Sequence, residues 1–237
     1  MPQPLVEILR KNQPAFHLVV PFDAATDKLV KFDFTKNNQQ ISADILGHTE
    51  KFIAYINNKL QSASAKYGIG GYDELREVYS RSKLFSSDGE GTEAGEPRRL
   101  HLGIDIWGKP YTKVMAPLDG VVHSFAFNNN FGDYGATIIL SHHIEGKSFY
   151  TLYGHLSLNS LKNLQPGMLM KHGDVFAEFG LPFENGQWPP HLHFQVIEDM
   201  QGYKGDYPGV CKFSEREKYL TNCPDADLIL QMMKYAN

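Results

Sequence analysis

The strongest constraint in this chain is a series of short apolar or alternating segments that begins after Arg98. "LHLGIDIW", "KVMAPLDGVVHSFAF", "GATIILSH", "SFYTLYGHL", "DVFAEFG" and "HLHFQVIE" follow one another, separated by Gly, Pro, Asn or Asp. Runs this short cannot bury a face alone, and turn residues at this spacing fold them back side by side. The pattern predicts a compact β-sandwich or barrel. The fold class expected is therefore mainly β, α+β overall.

The two ends read differently. Residues 1–40 mix "FHLVVPF" and "KLVKFDF" with polar turns, as irregular chain or short strands. From Ser42 on, Ile45, Phe52, Ile53, Ile56 and Leu60 recur at the spacing of one helix face. "GYDELREVYSR" (71–81) predicts a second, shorter helix, and "SSDGEGTEAGEP" a loop or linker. Near the C-terminus, Ser214 with Glu217 fits a capping box, and "DLILQMMKY" predicts a closing helix. Three parts are expected: a partly helical N-terminal extension (1–97), a β domain (98–210) and a helical tail (211–237).

Composition narrows the function classes. The chain is 42% hydrophobic and 21% charged, with a formal net charge of -4 and no long basic run. Nucleic acid and anionic membrane surfaces are excluded as main partners. No stretch approaches the roughly 20 apolar residues of a membrane span. The N-terminal "MPQPLVEILRKNQPAFHLVV" has no basic segment leading into a long apolar run, so a cytoplasmic location is expected. Cys211 and Cys223 lack CxxC spacing and are read as two unpaired structural thiols.

Chemistry collects in the β region, where His101, Asp105, His155, His191 and His193 sit beside glycines or on alternating runs. In "HLHF", residues two apart on a strand share a face, about 6.6 Å apart, while Leu192 and Phe194 turn into a core. "HLGID" needs more: on a straight strand His101 and Asp105 would stand about 13 Å apart, too far for metal bonds of about 2 Å. A bend at Gly103, with Asp105 opening the strand "DIW", is predicted. His155 ends "LYGHL" beside a glycine that permits close approach. The remaining histidines, 17, 48, 123, 142, 143 and 172, are assigned to surface or loops, His142 being the least secure of these. Two imidazoles and a carboxylate with an open fourth position form a common catalytic zinc arrangement. Five candidate groups exceed three ligands, which leaves two histidines for proton transfer or oxyanion stabilisation.

"HLGID", "LYGHL" and "HLHF", in this order, resemble the three motifs of lysostaphin-type (LytM-like) zinc metallopeptidases. "VMAPLDGVV" and "LQPGMLMKHGDVFAEFG" resemble the hairpins of that family's duplicated hybrid motif. The resemblance implies zinc (Zn2+) held by His101, Asp105 and His193, with His155 and His191 as the catalytic pair. It departs at "LPFENGQWPPH", where the family has a Gly/Ser/Thr-rich loop ending in Gly-Pro-His; Trp188 and two prolines are expected at the rim. A narrower resemblance runs from about Tyr67 to Leu230. "GGYDELREVYSRSKLF", "GQWPPHLHFQV", "DYPGV" and "NCPDADLIL" are similar to the peptidase-like module fused to class III aminotransferases and kinase-like phosphotransferases. It implies a functional link to a class III aminotransferase, and it brings Tyr72, Glu74 or Arg76 to the cleft entrance.

Three readings follow. The first is a zinc hydrolase that cleaves a peptide or related amide bond. The second keeps the fold and the metal but serves recognition only. The third, from another class, takes "HLHFQVIE" as a cupin motif with Glu198 as a ligand in a metal oxygenase; it leaves His101 and Asp105 without a task.

Overall fold

All six apolar runs after Arg98 fold as strand in the computed structural model, which describes residues 3–86 and 95–237. In chain order the strands are β1 (Leu29–Lys31), β2 (Tyr67–Gly70), β3 (Glu74–Leu75), β4 (Leu100–His101), β5 (Ile104–Trp107), β6 (Lys113–Met115) and β7 (Gly120–Asn128). They continue with β8 (Gly135–Ile144), β9 (Lys147–Leu156), β10 (Leu169–Met170), β11 (Val175–Glu178), β12 (His191–Ile197) and β13 (Val210–Cys211). The helices are α1 (Leu5–Asn12), α2 (Ala43–Gly47), α3 (Thr49–Ser62), α4 (Arg216–Asn222) and α5 (Asp227–Leu230). The chain is α+β and rich in sheet, as its sequence predicts.

Eight strands form the main sheet in the order β1-β2-β5-β12-β9-β8-β7-β10. All neighbours are antiparallel except β1 and β2. The end strands β1 and β10 do not pair, so the sheet stays open rather than closing as a barrel. Two small sheets, β11-β6 and β13-β4-β3, complete the strand set among the described residues.

The alternation of side chains separates core from site. On β5 and β12, Ile104, Ile106, Leu192, Phe194 and Val196 point into the largest hydrophobic cluster, all essentially inaccessible to solvent. Full burial of a side chain of this size stabilises by about 1.5–3 kcal/mol. The intervening residues, Asp105, Trp107, His191, His193 and Gln195, therefore emerge together on the opposite face. There an aromatic cluster from the N-terminal half closes over them: Phe32, Phe34 and Phe52 pack against Trp107, and Phe52 meets Trp188.

Several local expectations change. The helical pattern after Ser42 splits at His48 into α2, capped by the Ser42 hydroxyl, and α3, which buries Phe52 and Ile56. Residues 71–81 are not an α-helix. Gly71 and Asp73 take positive φ (108° and 54°), Glu74–Leu75 form β3, and only Glu77–Arg81 wind as a 3-10 turn. The cause is Arg76, whose guanidinium turns inward to the buried Asp105 and the half-buried Glu74 where a continuous helix would have left it facing solvent. The capping box also fails, because the Ser214 N–H donates to Glu96 and α4 starts from Glu215 with no side-chain cap. The closing helix stops at Leu230: Gln231 is left-handed (φ 52°), and Asp227 Oδ1 accepts the N–H groups of Met232 and Met233. Most of the expected Gly/Ser/Glu-rich loop, 87–94, lies outside the described residues. Both cysteines are free and buried. No helix among the described residues is long and apolar enough to cross a membrane.

Candidate metal centre

The sheet register sets out the site. His193 on β12 stands opposite Asp105 on β5 and opposite Gly154 on β9, and His191 stands opposite Trp107. His101 arrives from β4 through the bend expected at Gly103, with the next strand opening at Ile104, one residue earlier than predicted. The bend brings His101 Nε2 to 3.3 Å from Asp105 Oδ1. Glycine is required at 103, since a Cβ there would lie 2.7 Å from both Cε1 and Nε2 of His193. His155 joins by a different device. Two β9 residues, Gly154 and His155, lie opposite Thr137 alone on β8, a bulge in which His155 has φ 62°. The bulge turns His155 from the core face to the site face. All five residues singled out in the sequence converge here, each no more than 6% exposed.

Hydrogen-bond partners fix the imidazole tautomers. His101 Nδ1 donates to the carbonyl of Gly71 (2.8 Å), so its Nε2 carries a lone pair. His193 Nε2 donates to Gln195 Oε1 (2.9 Å). The amide orientation of Gln195 is set in turn by its nitrogen, which faces the Pro208 carbonyl at 3.2 Å. The His193 lone pair is then on Nδ1. These two lone pairs point at one another across 2.8 Å, with Asp105 Oδ1 3.1 Å from His193 Nδ1. Three acceptors this close repel unless a cation lies among them. Donor atoms about 2 Å from a shared tetrahedral ion stand roughly 3.3 Å apart, near the observed spacings. The three atoms lie within 4.8 Å of one another, so these residues fit a zinc site.

The other two histidines are held the same way but line a cavity. His191 Nδ1 donates to the Pro189 carbonyl (2.7 Å) and His155 Nδ1 to that of Asn185 (2.9 Å), leaving both Nε2 atoms unprotonated. The rings lie 4.1 Å apart, and Trp107 stacks on His191 at 3.8 Å. Burial pushes His191 down to about 4 and His155 well below its ordinary value. His101 is pushed down to about 3 by burial and by the charge of Arg76. Burial alone would raise the Asp105 carboxyl; His101 and Arg76 hold it well below the usual carboxylate range. Of these two, Arg76 is the cation at neutral pH, because His101 is itself neutral there.

A cavity of about 230 Å³ opens beside the cluster, lined by His155, His191, His193 and Asp105 together with aromatic rings such as Tyr79 and Tyr134. Arg76 lines it as well. Tyr72 does not; its hydroxyl donates to the Cys223 carbonyl, and Glu74 is taken up by Arg76. Trp188 lines the cavity, yet it is buried (3% exposed) under Arg81 instead of standing at a rim. Glu198 is outside the cluster and pairs with Lys147 at 2.5 Å, which removes the cupin ligand set. His142 is not a surface residue; it is 2% exposed in a separate polar contact.

The same stretch of chain matches known proteins. Residues 99–205 match the model of peptidase family M23. The matched stretch contains all five clustered residues. A curated relative from Haemophilus influenzae, named an uncharacterized metalloprotease, is 34% identical over 98 residues, which are 41% of this chain and 18% of that protein. The chain thus spans under a fifth of that relative's length. Among solved structures, a zinc-containing peptidase from Vibrio cholerae is 27% identical over 41% of this chain and 27% of its own, with a TM-score of 0.33. The catalytic domain of lysostaphin from Staphylococcus simulans is 20% identical, covering 70% of this chain and 96% of its own, with a TM-score of 0.40.

Sequence reasoning missed the partners around the cluster. Gln195 is two residues beyond His193 on the same strand face, and that period was available as a signal. Tyr134 rests its ring on Gly154, where a Cβ would meet it at 2.5 Å, and donates its hydroxyl proton to the Tyr207 carbonyl. Nothing in the local sequence marks Tyr134.

Proposed function

We propose that the protein is a zinc-dependent hydrolase of the lysostaphin type that cleaves a peptide or related amide bond. One observation carries the reading: two imidazole lone pairs, their tautomers fixed by outside partners, face each other across 2.8 Å and lie 3.1 and 3.3 Å from one carboxylate oxygen, beside a cavity. His101 Nε2, Asp105 Oδ1 and His193 Nδ1 are the proposed ligands. Zinc at such a site supplies Lewis-acid polarisation and acidifies water. The match to peptidase family M23 supports the same reading.

His155 and His191 are the proposed catalytic pair. Each presents an unprotonated Nε2 to the cavity, so each can take a proton there and return it as an N–H donor to a developing oxyanion or a leaving amine. Their Nδ1–H bonds to backbone carbonyls keep the rings from turning, and the Trp107 stack limits the tilt of His191. Burial keeps both neutral at pH 7, the state a proton acceptor needs. The link to a class III aminotransferase, the cytoplasmic location and the division at residues 98 and 210 rest on sequence alone.

Metal content by mass spectrometry, followed by assays on peptides, muropeptides and amide metabolites, tests the proposal. Wild type should carry about one zinc per chain and release product, while His191→Ala keeps the zinc and loses at least about 100-fold in rate. Zinc retained with no turnover of any substrate would favour the recognition-only reading. A zinc-free wild type would end both.

A further inference from the structure

Residues 70–76 lie outside the region that matches family M23, yet they close around the metal centre. The Gly71 carbonyl accepts from His101 Nδ1, the Asp73 N–H donates to the His101 carbonyl (3.0 Å), and Glu74 pairs with His101 across β3 and β4. Arg76 is 1% exposed. Its Nε donates to Glu74 Oε2 (2.5 Å), its Nη1 to Asp105 Oδ2 (2.5 Å) and its Nη2 to the Gly70 carbonyl (3.3 Å), while its guanidinium lies 5.2 Å from the Phe34 ring. At Gly71 (φ 108°) an added Cβ would fall 1.7 Å from Arg76 Nη2 and 2.9 Å from His101 Nδ1. The backbone passes between these two side chains with no room to spare.

We propose that Arg76 is a positioning residue that holds Asp105 Oδ2, so that Oδ1 alone is turned towards His101 and His193, and that the metal centre is thereby completed by a segment N-terminal to the M23-type region. The inference rests on the reading of His101, Asp105 and His193 as metal ligands. A carboxylate free to rotate about its last bond can offer either oxygen, or both, to a cation. Here Oδ2 is committed to a charge-assisted bond, the strong kind in a buried setting. The guanidinium cannot follow if Asp105 turns, because its other donors are anchored on Glu74 and Gly70. A lysine would not substitute: one ammonium on a flexible stem has no planar fork with which to bridge Glu74 and Asp105. Partners of this kind, one bond behind the ligands, orient them and tune the metal.

The wild-type chain and Arg76→Met are loaded with cobalt(II), whose ligand-field spectrum reports coordination number, and zinc affinity is measured by competition with a chromophoric chelator. Wild type should give the intense spectrum of a four-coordinate ion. Arg76→Met should give the weaker spectrum of a higher-coordinate ion, with zinc affinity lower by about 10- to 100-fold. Identical spectra with unchanged affinity, or tighter zinc binding with an unchanged spectrum, overturn the positioning role while leaving the metal centre intact. If Arg76→Met does not fold, X-ray absorption on zinc-loaded wild type decides: one carboxylate oxygen at bonding distance supports the role, and two overturn it. A wild type that binds neither ion overturns the metal centre itself, and the role of Arg76 with it.

Discussion

The molecule buries histidine in two places, and the contrast separates packing from chemistry. His142 on β8 donates from Nδ1 to the Asp119 carbonyl (2.9 Å), and its Nε2 faces the Thr151 hydroxyl (2.7 Å), itself 3.0 Å from the Tyr153 hydroxyl. A hydroxyl can supply the proton that Nε2 lacks, so each ring nitrogen there faces a neighbour of the complementary kind. On β4 and β12, His101 and His193 are as well buried, but each spends its N–H on an outside acceptor and turns a lone pair towards the other. One cluster is complete without a guest. The other sets three acceptors face to face, an arrangement that a shared cation would satisfy.

The largest effect should follow from breaking the cluster of His101, Asp105 and His193. His193→Ala is expected to drop bound zinc from about one equivalent to near zero, while His142→Gln leaves it unchanged; metal analysis of the purified chains reads both. Zinc at 100 times its Kd should stabilise the wild type and His142→Gln by about 2.7 kcal/mol, and His193→Ala hardly at all. Equal stabilisation of all three in a thermal melt would place the metal elsewhere.

Acid should expose the complete cluster instead. Burial pushes His142 down to about 4 from an ordinary value of 6.5. Above pH 6.5 the side chain is neutral in both folded and unfolded chains. Between 6.5 and 4 the unfolded chain binds the proton and the folded one does not, so stability falls as pH falls, and the slope ends near 4. The loss amounts to roughly 3 kcal/mol. Denaturant melts of zinc-free protein from pH 7 to 4 should show a shallower decline for His142→Gln than for wild type. Parallel declines would mean that His142 is protonated in the fold or relaxes without cost.

These contrasts also show what a sequence can say. The face shared by His191 and His193 follows from the two-residue period of a strand, and the meeting of His101 with Asp105 follows from the distance a straight strand could not close. Both are local. His142 misled because "SHH" reads as a strand end, whereas β8 continues beyond it to Ile144 under Phe149. Arg76 misled more deeply. "YDELREVYSR" carries an acceptable helical pattern, and only the distant Asp105, 29 residues on, draws the arginine inward and breaks the turn. The bulge at His155 is likewise a property of the pairing with β8, not of "LYGHL". Partners far apart in the chain override local pattern where buried charges must be matched.

Gln195 tests how much of the cluster's readiness comes from tautomer control. Its Oε1 takes the proton side of His193, and its nitrogen is spent on Pro208 and on Cys223 Sγ (3.3 Å). Gln195→Leu should release the ring to either tautomer and weaken zinc by about 10- to 100-fold without abolishing it. Chelator competition distinguishes that from the total loss expected of His193→Ala; an unchanged affinity would show that the strand alone holds the ring.

The smallest effect should fall just past the end of β12, where Glu198 lies five residues beyond His193. Its pairing with Lys147 is partly solvated, the two side chains being 36% and 27% exposed, and pairs of this kind contribute about 0–1 kcal/mol. Glu198→Gln should therefore shift stability by less than about 1 kcal/mol and leave zinc content and affinity untouched. Metal lost from Glu198→Gln but kept in His101→Ala would move the ligand set to the other side of the strand end. It would revive the cupin alternative and remove the reason for the facing lone pairs of His101 and His193. The close approach of those two nitrogens, with Arg76 fixed behind Asp105, predicts the opposite pattern.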